Sequence, residues 1–380
     1  MTDQEAEETV DIGDDDASEQ AAERVAEPAP EWLIDFRRSG FPKGFYRSGD
    51  GYGIVFAERS ADTLVVSFDN LSSARDDAID RTPWGYGFVA KNGWSQLGVM
   101  TFAPDWFRNG ELLDYLQNLA DSRFLKRFRT VVMTGTSMGG YAACAFASLA
   151  PCCTVIAFSP QSTLKKELVP WEKRFSSGRR ADWSGPFADG AQESLAAGKV
   201  LLLYDPHFAE DVAHADRFTG DNVVRLKARY SGHKSALFLR RAGLLSTIVR
   251  ETVEGRMSEQ RFYEIYRAGR ALPWYVNAVA GRLAETNRHR LLPRMSRAVS
   301  KLGFEQISRS VVARAVEAGV MEAPPPPQRQ APGPINRPNQ PASPARPAQA
   351  QPSGGARPHR SSPSKPPPPS RSPRKRSICI

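Results

Sequence analysis

The chain has 380 residues, with 51 Lys and Arg against 42 Asp and Glu, a formal net charge of +9. Hydrophobic residues make up 41%, enough for a sizeable core, and no run approaches the roughly 18–20 apolar residues of a membrane helix, which excludes a membrane span. Four cysteines (Cys144, Cys152, Cys153, Cys379) do not make a disulfide framework, and the acidic N-terminus lacks the apolar stretch of a secretory signal, so a reduced, cytoplasmic chain is expected.

Charge is unevenly spread. Residues 1–30 hold eleven acids against the single base Arg24, whereas 323–380 hold ten bases, no acid and 18 of the 30 prolines. Neither end has the apolar content to offset the entropy of ordering, so an acidic disordered tail (1–30) and a basic, Pro-rich disordered tail (323–380) are expected. The two cancel, which leaves the net charge in 31–322. The basic tail offers a surface to a protein or an anionic partner; solubility and a tail-to-tail contact are the plainer alternatives. No recognition motif accompanies the charge, so no specific nucleic-acid partner is expected.

In chain order, strands are predicted at Tyr52–Phe56, Thr63–Phe68, Gln96–Phe102, Thr130–Thr134, Thr154–Phe158, Lys199–Tyr204 and Asn222–Leu226. A helix from about Glu111 carries Leu112, Leu113, Leu116 and Leu119 on one face. A small-residue helix spans about Met138–Leu149, and another lies near Glu210–Phe218. Near-continuous apolar strands separated by helices point to a parallel sheet buried on both faces, an α/β layered domain over about 31–250. Residues 161–198, with Trp171 and Trp183, break the pattern and read as a lid-like insertion at the C-terminal edge of the strands. From Lys234 to Met321 the pattern is helical, with Pro273 at a helix start and Gly303 at a stop, giving a helical extension over 251–322.

The sharpest chemical signal is Gly135-Thr136-Ser137-Met138-Gly139, a G-x-S-x-G with an apolar strand leading in and a small-residue helix leading out. Such a turn lifts the serine hydroxyl above the sheet edge, at the positive end of a helix dipole. The plain alternative is a tight turn that merely needs glycine. A base is available in His233, in the loop after the last strand. His207 is a distant second, and His214 reads as a surface or capping residue. An acid is available in Asp205, directly after the Lys199–Tyr204 strand, with Asp211 as its rival at the next helix start.

Over about 50–250 the sequence resembles the α/β-hydrolase superfamily, on the elbow and on the order Ser, Asp, His. The resemblance implies a mostly parallel sheet flanked by helices. It also implies a triad of Ser137 as nucleophile, His233 as base and Asp205 (alternatively Asp211) as acid. One oxyanion donor would be the N–H of Met138 and the other would come from Asn70 or Leu71, where Asp69-Asn70-Leu71 departs from the His-Gly often found in the family.

The expected function is hydrolysis of an ester, thioester or related acyl bond of a small molecule. Acyl transfer by the same triad, and a non-catalytic binding module, are the alternatives. No H-E-x-x-H, C-x-x-C or P-loop is present, so neither a metal nor a cofactor is expected. Trp171 and Trp183 suggest an apolar ligand part, and Arg174, Arg179 and Arg180 an anionic one. Cys144 and Cys152 read as small core residues.

Overall fold

The structure, a computed structural model, describes residues 44–76 and 81–323. Eight strands form one sheet: β1 (Gly44–Gly49), β2 (Tyr52–Ala57), β3 (Thr63–Phe68), β4 (Ser95–Thr101), β5 (Thr130–Thr136), β6 (Thr154–Phe158), β7 (Lys199–Tyr204) and β8 (Val223–Lys227). Their order is β1-β2-β4-β3-β5-β6-β7-β8. β2 runs antiparallel to both neighbours, and the remaining pairs are parallel.

Side-chain alternation sends successive residues of each strand to opposite faces. Leu64, Val66 and Phe68 of β3 join Met133, Val155 and Leu202 on one face, covered by the helices Gly110–Asp121 and Met138–Ala145. Val65, Val132, Ile156 and Leu201 face the other way, under the helices Ser235–Arg241, Leu245–Val253 and Glu259–Tyr266. Both faces are therefore dry, which is why these strands read as continuous apolar runs.

The helix Gly110–Asp121 is capped by Asn109, whose side chain accepts from Leu112 N at 3.1 Å. Its buried stripe is Leu112, Leu113 and Leu116. Three further helices, Pro273–Glu285, Leu292–Lys301 and Glu305–Glu317, share a small core of Ala280, Leu292, Val311 and Ala315. Pro273 opens the first of them, and Gly303, at φ +82°, follows the end of the second.

Strand β1 is not legible in the sequence. Its segment, GFYRSG, is exposed or half-buried along its length, so it carries no run of core residues. The helix expected near Glu210–Phe218 spans Ala209–Asp216. Cys144 is buried as expected, but Cys152 is exposed. The acidic segment 1–30 and residues 324–380 of the basic segment lie outside the described residues. Among the described residues no helix is long and apolar enough to cross a membrane.

Candidate active site

Strand β5 runs straight into the turn that carries Ser137. Ser137 has φ 51° and ψ −114°, a conformation disfavoured for a side chain with a Cβ and costing about 1–3 kcal/mol. Two glycines make the turn possible. A methyl group at Gly135 would run into the carbonyl of Gly139, and one at Gly139 into the carbonyls of Phe68 and Asp69. The loop after β3 is thus pressed against the start of the helix Met138–Ala145. That helix leaves its first N–H groups without intrahelical partners.

The strand order, with β2 alone reversed, and the strand–elbow–helix at the centre of the parallel sheet decide the architecture. The chain has an α/β-hydrolase fold. Within this fold the segments that follow β6, β7 and β8 open on the same edge as the elbow, and each brings a polar side chain to Ser137 or its partner.

From the loop after β8, His233 places Nε2 at 2.9 Å from Ser137 Oγ. Its other ring nitrogen, Nδ1, lies 2.7 Å from Asp211 Oδ1. A carboxylate only accepts, so Nδ1 carries the hydrogen and Nε2 is left to accept from the serine hydroxyl. Asp211 sits in the first turn of the helix Ala209–Asp216 and is buried. Arg174 Nη1 also reaches its Oδ1, at 3.4 Å.

The sequence favours Asp205 as the partner of His233, and the structure gives that contact to Asp211. Asp205 instead accepts from two backbone N–H groups, Oδ1 from His207 N in its own loop at 2.9 Å and Oδ2 from Gly232 N in the loop after β8 at 2.8 Å. It therefore pins the residue before His233 instead of the imidazole itself. His207 packs on Tyr230, with ring centroids 4.7 Å apart, and no hydrogen bond joins it to Ser137.

Of the expected oxyanion residues, Met138 stands at the start of the elbow helix. Asn70 caps the short helix Leu71–Arg75, its Oδ1 accepting from Ser73 N at 2.8 Å, so its side-chain oxygen is already engaged. Asp69 beside it is fully buried and paired with Arg81 at 2.5 Å. Burial pushes its carboxyl up to about 6, against the pull of Arg81.

Gln161, directly after β6, is a site residue the sequence does not announce. Its Nε2 lies 3.2 Å from Ser137 Oγ. No motif letter marks it; only the pairing of β5 with β6 brings the two loops together.

Trp171, Trp183, Arg174 and Arg179 of the insertion have structural duties. Trp183 is buried, its indole N–H donating to Gly178 O at 2.8 Å. Trp171 covers His214, with ring centroids 4.6 Å apart. Arg174 pairs with Glu172 at 2.5 Å, and Arg179 donates to the carbonyls of Val169 and Glu172. His214, expected at the surface, is fully buried. It receives Ser162 N at Nδ1 (3.0 Å), so its Nε2–H donates to Glu172 (3.0 Å). Among the described residues no group of three or more His, Cys, Asp or Glu is placed to hold a metal.

No protein-family model matches the sequence, and no curated protein does. Among solved structures, a capsule O-acetyltransferase of Neisseria meningitidis serogroup A is similar over 54% of this chain and 93% of its own (12% identity, TM-score 0.36). The fluorophosphonate-binding serine hydrolase F of Staphylococcus aureus is similar over 56% and 97% (11%, 0.36). A chain of the glycosylation associate protein complex from Streptococcus agalactiae is similar over 57% of this chain and 48% of that one (13%, 0.41), so this chain spans about half its length.

Proposed function

We propose that the protein is a serine hydrolase of an ester, thioester or related acyl bond in a small molecule. The observation that carries this reading is the line Ser137 Oγ, His233, Asp211, joined at 2.9 and 2.7 Å above a strained strand-to-helix turn. Ser137 Oγ attacks the acyl carbon as its proton passes to His233 Nε2, and Asp211 holds the ring and offsets the charge it gains. The backbone N–H groups of Met138 and Asn70 receive the negative oxygen of the tetrahedral intermediate. The intermediate collapses, and the departing alcohol or thiol takes the proton from His233. Water then attacks the acyl-enzyme with His233 as base, releasing the acid and restoring Ser137. An alcohol attacking in place of water makes the same apparatus an acyltransferase.

A series of p-nitrophenyl esters of increasing chain length tests the reading. Wild type should hydrolyse at least one member with Ser137→Ala slower by on the order of 10³-fold or more. Equal rates for the two proteins across the series would contradict it.

A further inference from the structure

We infer that Gln161 is a further catalytic residue, whose side-chain N–H donates to the nucleophilic oxygen of Ser137. The inference rests on Ser137 being the nucleophile proposed above.

The direction of the amide is fixed by its neighbours. Gln161 is fully buried, so both ends of its amide need partners. Trp106 Nε1 lies 3.3 Å from Oε1. An indole N–H can only donate, so the oxygen of the amide faces Trp106 and its nitrogen faces the site. There Nε2 is 3.2 Å from Ser137 Oγ and 3.4 Å from His233 Nε2, spanning both partners of the proton transfer. The hydrogen bonds then run one way: Trp106 to Gln161, Gln161 to Ser137, Ser137 to His233, His233 to Asp211.

The donor end of this line is built with care. Trp106 and Phe107 stand consecutively in the left-handed region, at φ 54° and 56°. They are held there by Asp105, whose Oδ1 accepts from Phe107 N at 2.9 Å and from Thr101 Oγ1 at 3.1 Å. The short helix Ser176–Arg180 of the insertion packs against the indole, since a side chain at Gly178 would overlap its ring.

A donor at Oγ acts at two moments. Before attack it occupies one lone pair of Oγ and leaves the hydroxyl hydrogen directed at His233. When the acyl-enzyme breaks down, the bond from Oγ to the acyl carbon is cleaved, Oγ takes the electron pair, and the proton returns to it from His233. The amide N–H stabilises the charge that gathers on Oγ in between, and gives up no proton itself. This differs from an oxyanion donor, which serves the carbonyl oxygen of the substrate.

The test is the second-order rate of labelling of the full chain by a fluorophosphonate, with thermal melts beside it and Ser137→Ala as blank. Gln161→Met removes the donor at similar volume. Gln161→Glu keeps the Trp106 contact while presenting an acceptor to Oγ, and carries the test if the Met variant melts early. Labelling reads the attack alone, so it tests the first of the two roles: both should label about tenfold more slowly or worse, the size of one hydrogen bond that no longer orients Oγ for attack. Trp106→Phe should lose less, and should add nothing in a Gln161→Met background, as expected of a residue acting through the amide. Wild-type labelling rates in both Gln161 variants would overturn the inference and leave Ser137 as nucleophile. A wild type that takes no label removes the serine reading, and this inference falls with it.

Discussion

His233 is held by two carboxylates with different duties. Asp211 receives its Nδ1–H at 2.7 Å, while Asp205 receives the N–H of Gly232 and fixes the loop. Asp211→Asn keeps the shape but allows the wrong tautomer, and should lower kcat/KM on the best ester by about 10⁴-fold with little change in melting temperature. Asp205→Ala leaves two backbone N–H groups without their acceptor. It should lower stability by about 2–4 kcal/mol in denaturant titrations, with a smaller loss of rate. A larger loss of rate in the Asp205 variant than in the Asp211 variant would reverse these assignments. The order Ser, Asp, His is legible in the sequence. Which of two acids after β7 meets the imidazole is decided by the way a loop and the first turn of a helix point, and no local pattern encodes that. Gln161 is illegible for a related reason, because its role exists only once β6 lies beside β5.

At the scale of elements, the insertion at 161–198 is stitched to the body instead of hanging over it. Arg108 donates to the carbonyls of Asp182 (2.9 Å) and Pro186 (2.7 Å), and Tyr141 Oη donates to Phe187 O at 2.5 Å. Arg108→Ala should loosen this segment, lowering stability by about 2–4 kcal/mol and opening new proteolytic cuts within 161–198. Unchanged digestion would show that the packing of Trp183 holds the segment alone. The position of the insertion is visible in the sequence as a break between two apolar strands. The duties of Trp183 and Arg174 are not, because composition cannot tell an aromatic or basic side chain that lines a pocket from one that braces a loop. The strands buried on both faces are the most legible elements, and β1, half in water, the least.

Across the molecule, one largely buried network joins the insertion to Asp211. Glu172 binds Arg174 and His214; Arg174 reaches Asp211; and Ser162, bonded to His214, accepts from Arg217, which pairs with Asp189. Burial opposes the charge of Glu172, but the hydrogen bonds from His214 and Arg174 overcome it and hold the carboxyl at about 2. Its folded value lies below its unfolded one, so its contribution to stability is present above the unfolded value, about 4.5, and is lost as pH falls toward 2. Denaturant midpoints of wild type and Glu172→Gln should therefore differ at neutral pH and converge on acidification through that window. A gap that widens on acidification would contradict the pairing.

The function proposed for the site requires Ser137 to be an activated nucleophile. The most direct measurement is to expose the full chain to a fluorophosphonate and map the modified peptide by mass spectrometry, beside Ser137→Ala and His233→Ala. One phosphonyl group is expected, on Ser137, in wild type and none in either variant. A folded wild type without label, or label elsewhere that survives Ser137→Ala, would contradict it.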